Sequence, residues 1–428
     1  MPRLSTIWGC AVLISLLAGC QHEPSDPGPP PREPVGLIWG SGASGAFVED
    51  TVPLLAFFRD SADDPMGLPR PVVTWTSSNP AVLEIVSDTL AVALATGTAV
   101  LTAVTPDPPA YALDVLIEVI PRWQGRLVWA RQPAPGVQPA LAVQEFPGHE
   151  VQQLPDVGYP GAASGDPYLS SDGRYAAATG TRPIAPGANR TIFVVDLVTG
   201  DVTMPLDPLR NWNQFSAAWF PGDTLLAFLM EAATGYEVFT ARPDGSGVQQ
   251  RTQLGQAAPP FFDLTPEGNV VLKLGYGPAA DLFEVTLSGD PVRQVTATPD
   301  YEETTPAVSP DGSALAFVAT LNPGAAGERG SHVLVMDRDG ANPRRLLPRL
   351  TEITGSAPRF SNYPAQSRHP SWTADSKFVL LTWSIDPHVS ADGQGYDTLG
   401  ELYAIRLADG LAIRLTRTPT IDAQAVFR

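Results

Sequence analysis

Pro306-Ala307-Val308-Ser309-Pro310-Asp311-Gly312-Ser313-Ala314-Leu315-Ala316-Phe317 reads as a strand, a tight turn and a second strand. Asp and Gly supply the turn: the carboxylate bonds its own backbone, and glycine takes a positive φ without steric cost. The same unit recurs at Pro167–Ala176, Ala217–Leu226, Phe262–Val271 and Pro370–Val379. Equivalent turn positions 172, 222, 267, 311 and 375 lie 50, 45, 44 and 64 residues apart. Each copy continues into a second hairpin, such as Val333–Asp337 turning at Asp339-Gly340 or Leu402–Arg406 turning at Asp409-Gly410. A period of about 45 residues with about four strands per unit predicts the blade of a β-propeller.

The ends set the expected blade count. Ala423–Arg428 matches Thr305–Pro310 and breaks off before the turn, while Gly125–Ala130 matches Gly312–Phe317, which follows it. The last strand is therefore expected to complete a blade begun by residues 126–155, giving six blades closed by the C-terminal strand and no free sheet edge. With its Ser-Pro-Asp-Gly turn after a Pro-x-[Val/Trp] strand, the segment 125–428 resembles the TolB-type six-bladed propeller with WD40-like repeats. That resemblance implies a fold; folds of this kind host unrelated tasks, and it implies no partner.

Outward from the repeat, residues 37–121 alternate short β-branched runs with turns. Trp75-Thr76-Ser77-Ser78-Asn79-Pro80-Ala81-Val82 and the stretch Ala95 to Ala103 resemble the group 2 bacterial immunoglobulin-like domain, with Ser87-Asp88 departing from the family pattern where a glycine is common. The resemblance implies a spacer, with Trp75 as a plug between two sheets. The fold class expected is all-β: an N-terminal immunoglobulin-like β-sandwich followed by the propeller.

Residues 1–19 carry Arg3, an apolar run from Ile7 to Leu17 and a small-residue exit into Cys20, as in a secretory signal too short to span a membrane comfortably. Leu17-Ala18-Gly19-Cys20 resembles a bacterial lipobox, which implies a lipoprotein lipidated on Cys20 and tethered by the proline-rich segment 20–36. Gln21 after the cysteine resembles an outer-membrane address, so the expected location is the cell envelope, facing the periplasm or the cell surface. Cys10 and Cys20 are the only cysteines, so the mature domains are expected to hold no disulfide.

Composition excludes several classes. With 45 Asp+Glu against 27 Lys+Arg the net charge is −18, and a nucleic-acid binder needs the opposite sign. Attachment to an anionic membrane through charge is disfavoured for the same reason, leaving the lipid as the expected membrane contact. The 45 prolines and 38 glycines are too many breaks for a helical bundle.

No catalytic constellation stands out. His22, His149, His332, His369 and His388 show no metal-ligand spacing, and no Gly-x-Ser-x-Gly elbow occurs. Gly40–Gly45 matches a dinucleotide fingerprint, but Pro53 forbids the helix that should follow, so a loop is expected. No cofactor and no metal site are predicted. The long connections 180–190, 208–215, 297–304, 320–331, 350–368 and 385–400 all fall on one face, opposite the Asp-Gly turns. They carry residue types that dominate interface energy, and Trp212, Tyr301, Glu302, Glu303, Arg359, Phe360, Tyr363, Arg368 and His388 are the candidate partner-binding residues. The expectation is a non-catalytic, envelope-anchored protein that binds a protein or glycan. The alternative is a metal-dependent polysaccharide lyase or another carbohydrate-active enzyme at the propeller mouth. Its ligands would be His369 and His388, with Glu302 or Glu303 assisting, as a resemblance of some such propellers to oligogalacturonate lyases implies.

Overall fold

The computed structural model describes residues 33–40, 43–61, 66, 71–132, 140–154, 167–184, 187–206, 213–255, 261–275, 280–288, 290–321, 331–346, 370–383, 388–389, 396–397, 401–417 and 421–428. The expected signal peptide and Cys20, with nearly all of the tether, lie outside them. The described residues form an all-β structure, and none of its elements is a helix long and apolar enough to cross a membrane.

Six antiparallel arrays follow the repeat, five of them separate four-stranded sheets and the sixth four strands of an eight-stranded sheet. Sheet 1 combines Gly125–Gln132, Ala140–Phe146 and Val151–Gln153 with the C-terminal strand Ile421–Phe427. Sheets 2 to 6 run in simple sequence order from Tyr168 to Thr203, Gln214 to Gln250, Phe262 to Gln294, Tyr301 to Arg345 and Ser371 to Arg414. Their middle strands, such as Leu226–Ala232, bury consecutive residues because a neighbouring sheet covers each face. The innermost strands are tied across sheets by indoles. Trp219 Nε1 donates to the Tyr168 carbonyl at 3.0 Å, and Trp372 Nε1 to that of Ala307 at 2.9 Å.

The C-terminal strand pairs antiparallel with Gly125–Gln132, Leu127 opposite Phe427 and Gln132 opposite Ile421. Asp422, fully buried, accepts Trp129 Nε1 at 2.9 Å and Arg131 Nε at 2.8 Å. No described sheet closes on itself; the arrays are separate and pack face to face.

Residues 36–120 form further sheets around one core in which Trp75, 7% exposed, meets Trp39 edge-on at 5.7 Å. Here one face is wet, and Ala112–Ile120 alternates accordingly. Gly45, in the Gly40–Gly45 stretch, begins the strand Gly45–Phe47. That strand pairs in parallel with Ala112–Ile120 on one side and, through Gly45 opposite Ile413, with the outer strand of sheet 6 on the other. Ser44 N donates to the Ala412 carbonyl and Ala412 N to Ser44 Oγ, both at 2.9 Å. A Cβ on Gly45 would lie 2.8 Å from Leu411 Cδ1, so a larger residue would have to push that buried side chain aside. Beside it Phe47, Trp123, Phe146, Phe378 and Phe427 form one aromatic cluster.

Candidate functional site

Two ends of the six sheets offer candidates: the Asp-Gly turns and the opposite end. At the turns a single network repeats. Ser309 Oγ donates to Asp311 Oδ1 at 2.6 Å while accepting Ala314 N, and Asp311 Oδ1 accepts Ser313 N at 3.0 Å. Ser170, Asp172, Arg174 and Tyr175 repeat it, as do Thr373, Asp375, Lys377 and Phe378. The Ser170 hydroxyl is the main influence holding Asp172 below the ordinary carboxylate value. Burial pushes Asp311 and Asp375 up, but the hydroxyl and backbone donors outweigh it and leave both lowered. Neighbouring turns also join, Asp311 N donating to Ser376 Oγ at 3.1 Å and Ser171 N to Asp223. These carboxylates are spent on turn geometry. The cleft among the innermost strands near Asp263 and Arg428 is only about 60 Å³, room for a few waters.

The opposite end differs. The Arg190 guanidinium lies 5.1 Å from the Phe215 ring centroid, and Phe215 meets Tyr236 edge-on at 5.6 Å. Asn213 Oδ1 accepts Arg190 N at 3.2 Å, fixing the backbone beneath the stack. Burial first, then the Glu231 charge, raises the Tyr236 phenol. Arg190 and Asn213 are exposed or half-exposed, so the cluster stands at the surface. Tyr236 lies just past the two-residue connection 233–234, whereas the candidate residues come from the long connections. The signal available was an aromatic directly after that turn.

Of two expected loops, 180–190 is mostly strand and 297–304 is strand for half its length. The hairpin Tyr175–Ile184 and Gly187–Asp196 stays in register out to Ile184 opposite Gly187, so Arg190 faces Thr181 rather than lying in a loop. Tyr301, Glu302 and Glu303 open the strand Tyr301–Val308 and pair with Leu321, Thr320 and Ala319. A bulge after Thr304, with Thr305 at φ 49°, lets the strand pass Pro306, which cannot donate a ladder bond. Tyr301 is half-buried against the core between sheets 4 and 5. Lys273 Nζ donates to Glu302. Glu303 is 1% exposed, accepts Thr298 Oγ1, and is pushed up to about 8, by burial first and the Asp281 charge second. It faces inward and offers a partner no surface.

Trp212, Arg359, Phe360, Tyr363, Arg368 and His369 lie outside the described residues. The His388 backbone pairs with Asp397 in a short hairpin. Among the described residues no three His, Cys, Asp or Glu side chains converge as metal ligands.

No protein-family model matches the chain, and no curated protein matches it. Among solved structures, TolB from Acinetobacter baumannii superposes at a TM-score of 0.52 and 13% identity, covering 78% of this chain and 80% of that one. The fold is a TolB-like β-propeller. Hydrazine synthase from Kuenenia stuttgartiensis gives 0.51 at 12% identity, over 71% of this chain and 46% of its own. A putative TolB from Agrobacterium tumefaciens gives 0.45 at 13% identity, over 72% and 99%. At identities this low, the two superpositions above 0.5 speak for the propeller fold and for nothing chemical.

Proposed function

We propose that this chain is a non-catalytic, envelope-anchored lipoprotein whose propeller binds a protein or glycan through the end opposite the Asp-Gly turns. Cys20 carries the lipid, residues 37–121 act as an immunoglobulin-like spacer, and pairing of Ile421–Phe427 with Gly125–Gln132 closes a six-bladed ring. The observation that carries the reading is the Arg190–Phe215–Tyr236 stack, a surface cluster of the residue types that supply interface energy. It sits at the end where the sequence predicts the long connections to emerge. The Asp-Gly end, by contrast, uses its polar groups internally.

The lyase alternative gains nothing from this arrangement, since Glu302 is held by Lys273 and Glu303 is buried. The test is crosslinking capture from native envelope extract with protein begun at Gln21. A matched bait has the 350–368 loop shortened and Trp212, Phe215, Tyr236, Tyr301 and Arg359 changed to Ala. The proposal expects a protein or glycan held by the first bait and lost from the second; equal capture by both baits, or none, refutes it. A stoichiometric metal surviving chelation and dialysis would favour the enzyme.

A further inference from the structure

A second concavity lies where the 36–120 sheets meet sheets 1 and 6, with a volume of about 240 Å³. Four arginines line it, Arg122, Arg131, Arg414 and Arg417, in a chain whose net charge is −18. Three have a carboxylate: Arg122 pairs with Asp50, Arg131 with Asp422 and Arg414 with Glu401. Arg417 has none among the described residues. Its Nη1 donates to Thr51 Oγ1 at 3.3 Å, and its Nε is buried with no partner, as is that of Arg122. Four guanidiniums against three carboxylates leave one positive charge in the cleft. At the rim, exposed Glu49 lies 3.9 Å from His149 and is screened by solvent.

Arg417 is half-buried; a partly desolvated charge without a counterion is costly, and its buried Nε–H without an acceptor adds to the cost. A protein of marginal stability keeps such a group where something else completes it. Burial, above all, pushes the Arg417 guanidinium below its ordinary value; Asp50 opposes this and Arg414 reinforces it. We propose that the cleft is a binding site for a small monocarboxylate, whose two oxygens take the guanidinium fork of Arg417. The guanidinium fork matches a carboxylate in geometry. The single surplus charge favours a monoanion over phosphate, which carries more charge at neutral pH. The volume falls below the roughly 300–1,000 Å³ of larger organic ligands, which restricts the occupant to a small molecule. This site is independent of the surface proposed for partner binding.

The experiment is calorimetric titration of the whole mature chain with acetate, D-glucuronate and inorganic phosphate, each at matched ionic strength in chloride. The expected result is saturable one-to-one binding of at least one carboxylate with Kd under about 1 mM, with a concentration-dependent rise in Tm. Arg417→Gln is expected to weaken it at least tenfold, Arg417→Lys to give an intermediate loss, and Arg242→Gln, in an exposed turn, to change nothing. Because Arg417→Lys keeps the charge, it reports on the site even if Arg417→Gln fails to fold. Absence of saturable heat, equal affinity in the Arg417→Lys variant, or tighter binding of phosphate than of either carboxylate would overturn the assignment.

Discussion

Glu303 and Asp311 are acidic residues eight positions apart in one repeat, yet their surroundings drive their protons in opposite directions. Glu303 sits inside, where burial and Asp281 raise it to about 8; Asp311 sits in a turn, where hydrogen bonds lower it despite burial. The stability linked to Glu303 is fully present below its unfolded value near 4.5 and is lost as pH rises toward 8. The slope is at most about 1.4 kcal/mol per pH unit. Glu303→Gln should therefore flatten the fall in Tm between pH 5 and 8; an unchanged fall would show that another group drives it. The turn aspartates behave the other way: their contribution is present above about pH 4 and is lost as pH falls through their lowered values. Asp311→Ala removes acceptors for Ser309, Ser313 N and Ser313 Oγ and should cost about 1–2 kcal/mol in urea unfolding. Asp311→Asn, which keeps an acceptor oxygen, should cost less.

At the scale of strands and turns, much was legible in the chain because one signal was repeated five times. A turn like Ser309-Pro310-Asp311-Gly312 marks each first hairpin, and at three of them the hydroxyl and carboxylate that build the turn stand in the sequence, so the chain states its own local geometry there. The pairing of the last strand with Gly125–Gln132 was legible by the same logic, from two fragments that complete one copy. Strand lengths at the other end were not. Thr305 takes φ 49° at a bulge before Pro306 and Ser216 φ 40° at one before Ala217, so no shared residue type announces the bulge. Glu303 goes with it: a place in a long connection reads as surface, and only three-dimensional neighbours bury it. The pairing of the last strand yields a prediction of its own. Asp422→Ala leaves Trp129 Nε1 and Arg131 without their buried acceptor and should cost about 2–4 kcal/mol. Hydrogen exchange should quicken across 125–132 first; exchange that stays slow there while the rest loosens would argue that the strand is not what holds this sheet.

Across the whole molecule, the join between the N-terminal sheets and the propeller was the least legible feature, because it depends on residues distant in sequence. Ser44 bonds Ala412, Gly45 pairs with Ile413, Arg406 reaches Glu118 at 3.1 Å, and Trp123 packs between Phe47 and Phe378 at 5.0 Å each. Domains linked by a short peptide move relative to each other unless a substantial apolar contact holds them. Here an eight-stranded sheet and a five-membered aromatic cluster run through the boundary, so residues 34–428 should unfold as one cooperative unit. Trp123→Ala removes the ring shared by Phe47, Phe146, Phe378 and Phe427 and should cost about 3 kcal/mol. If the cluster couples the two parts, scanning calorimetry will show a single transition in the native chain that broadens or splits in the variant. Two transitions in the native chain, with only the smaller one moved by Trp123→Ala, would mean that the N-terminal sheets lean on the propeller without sharing its stability.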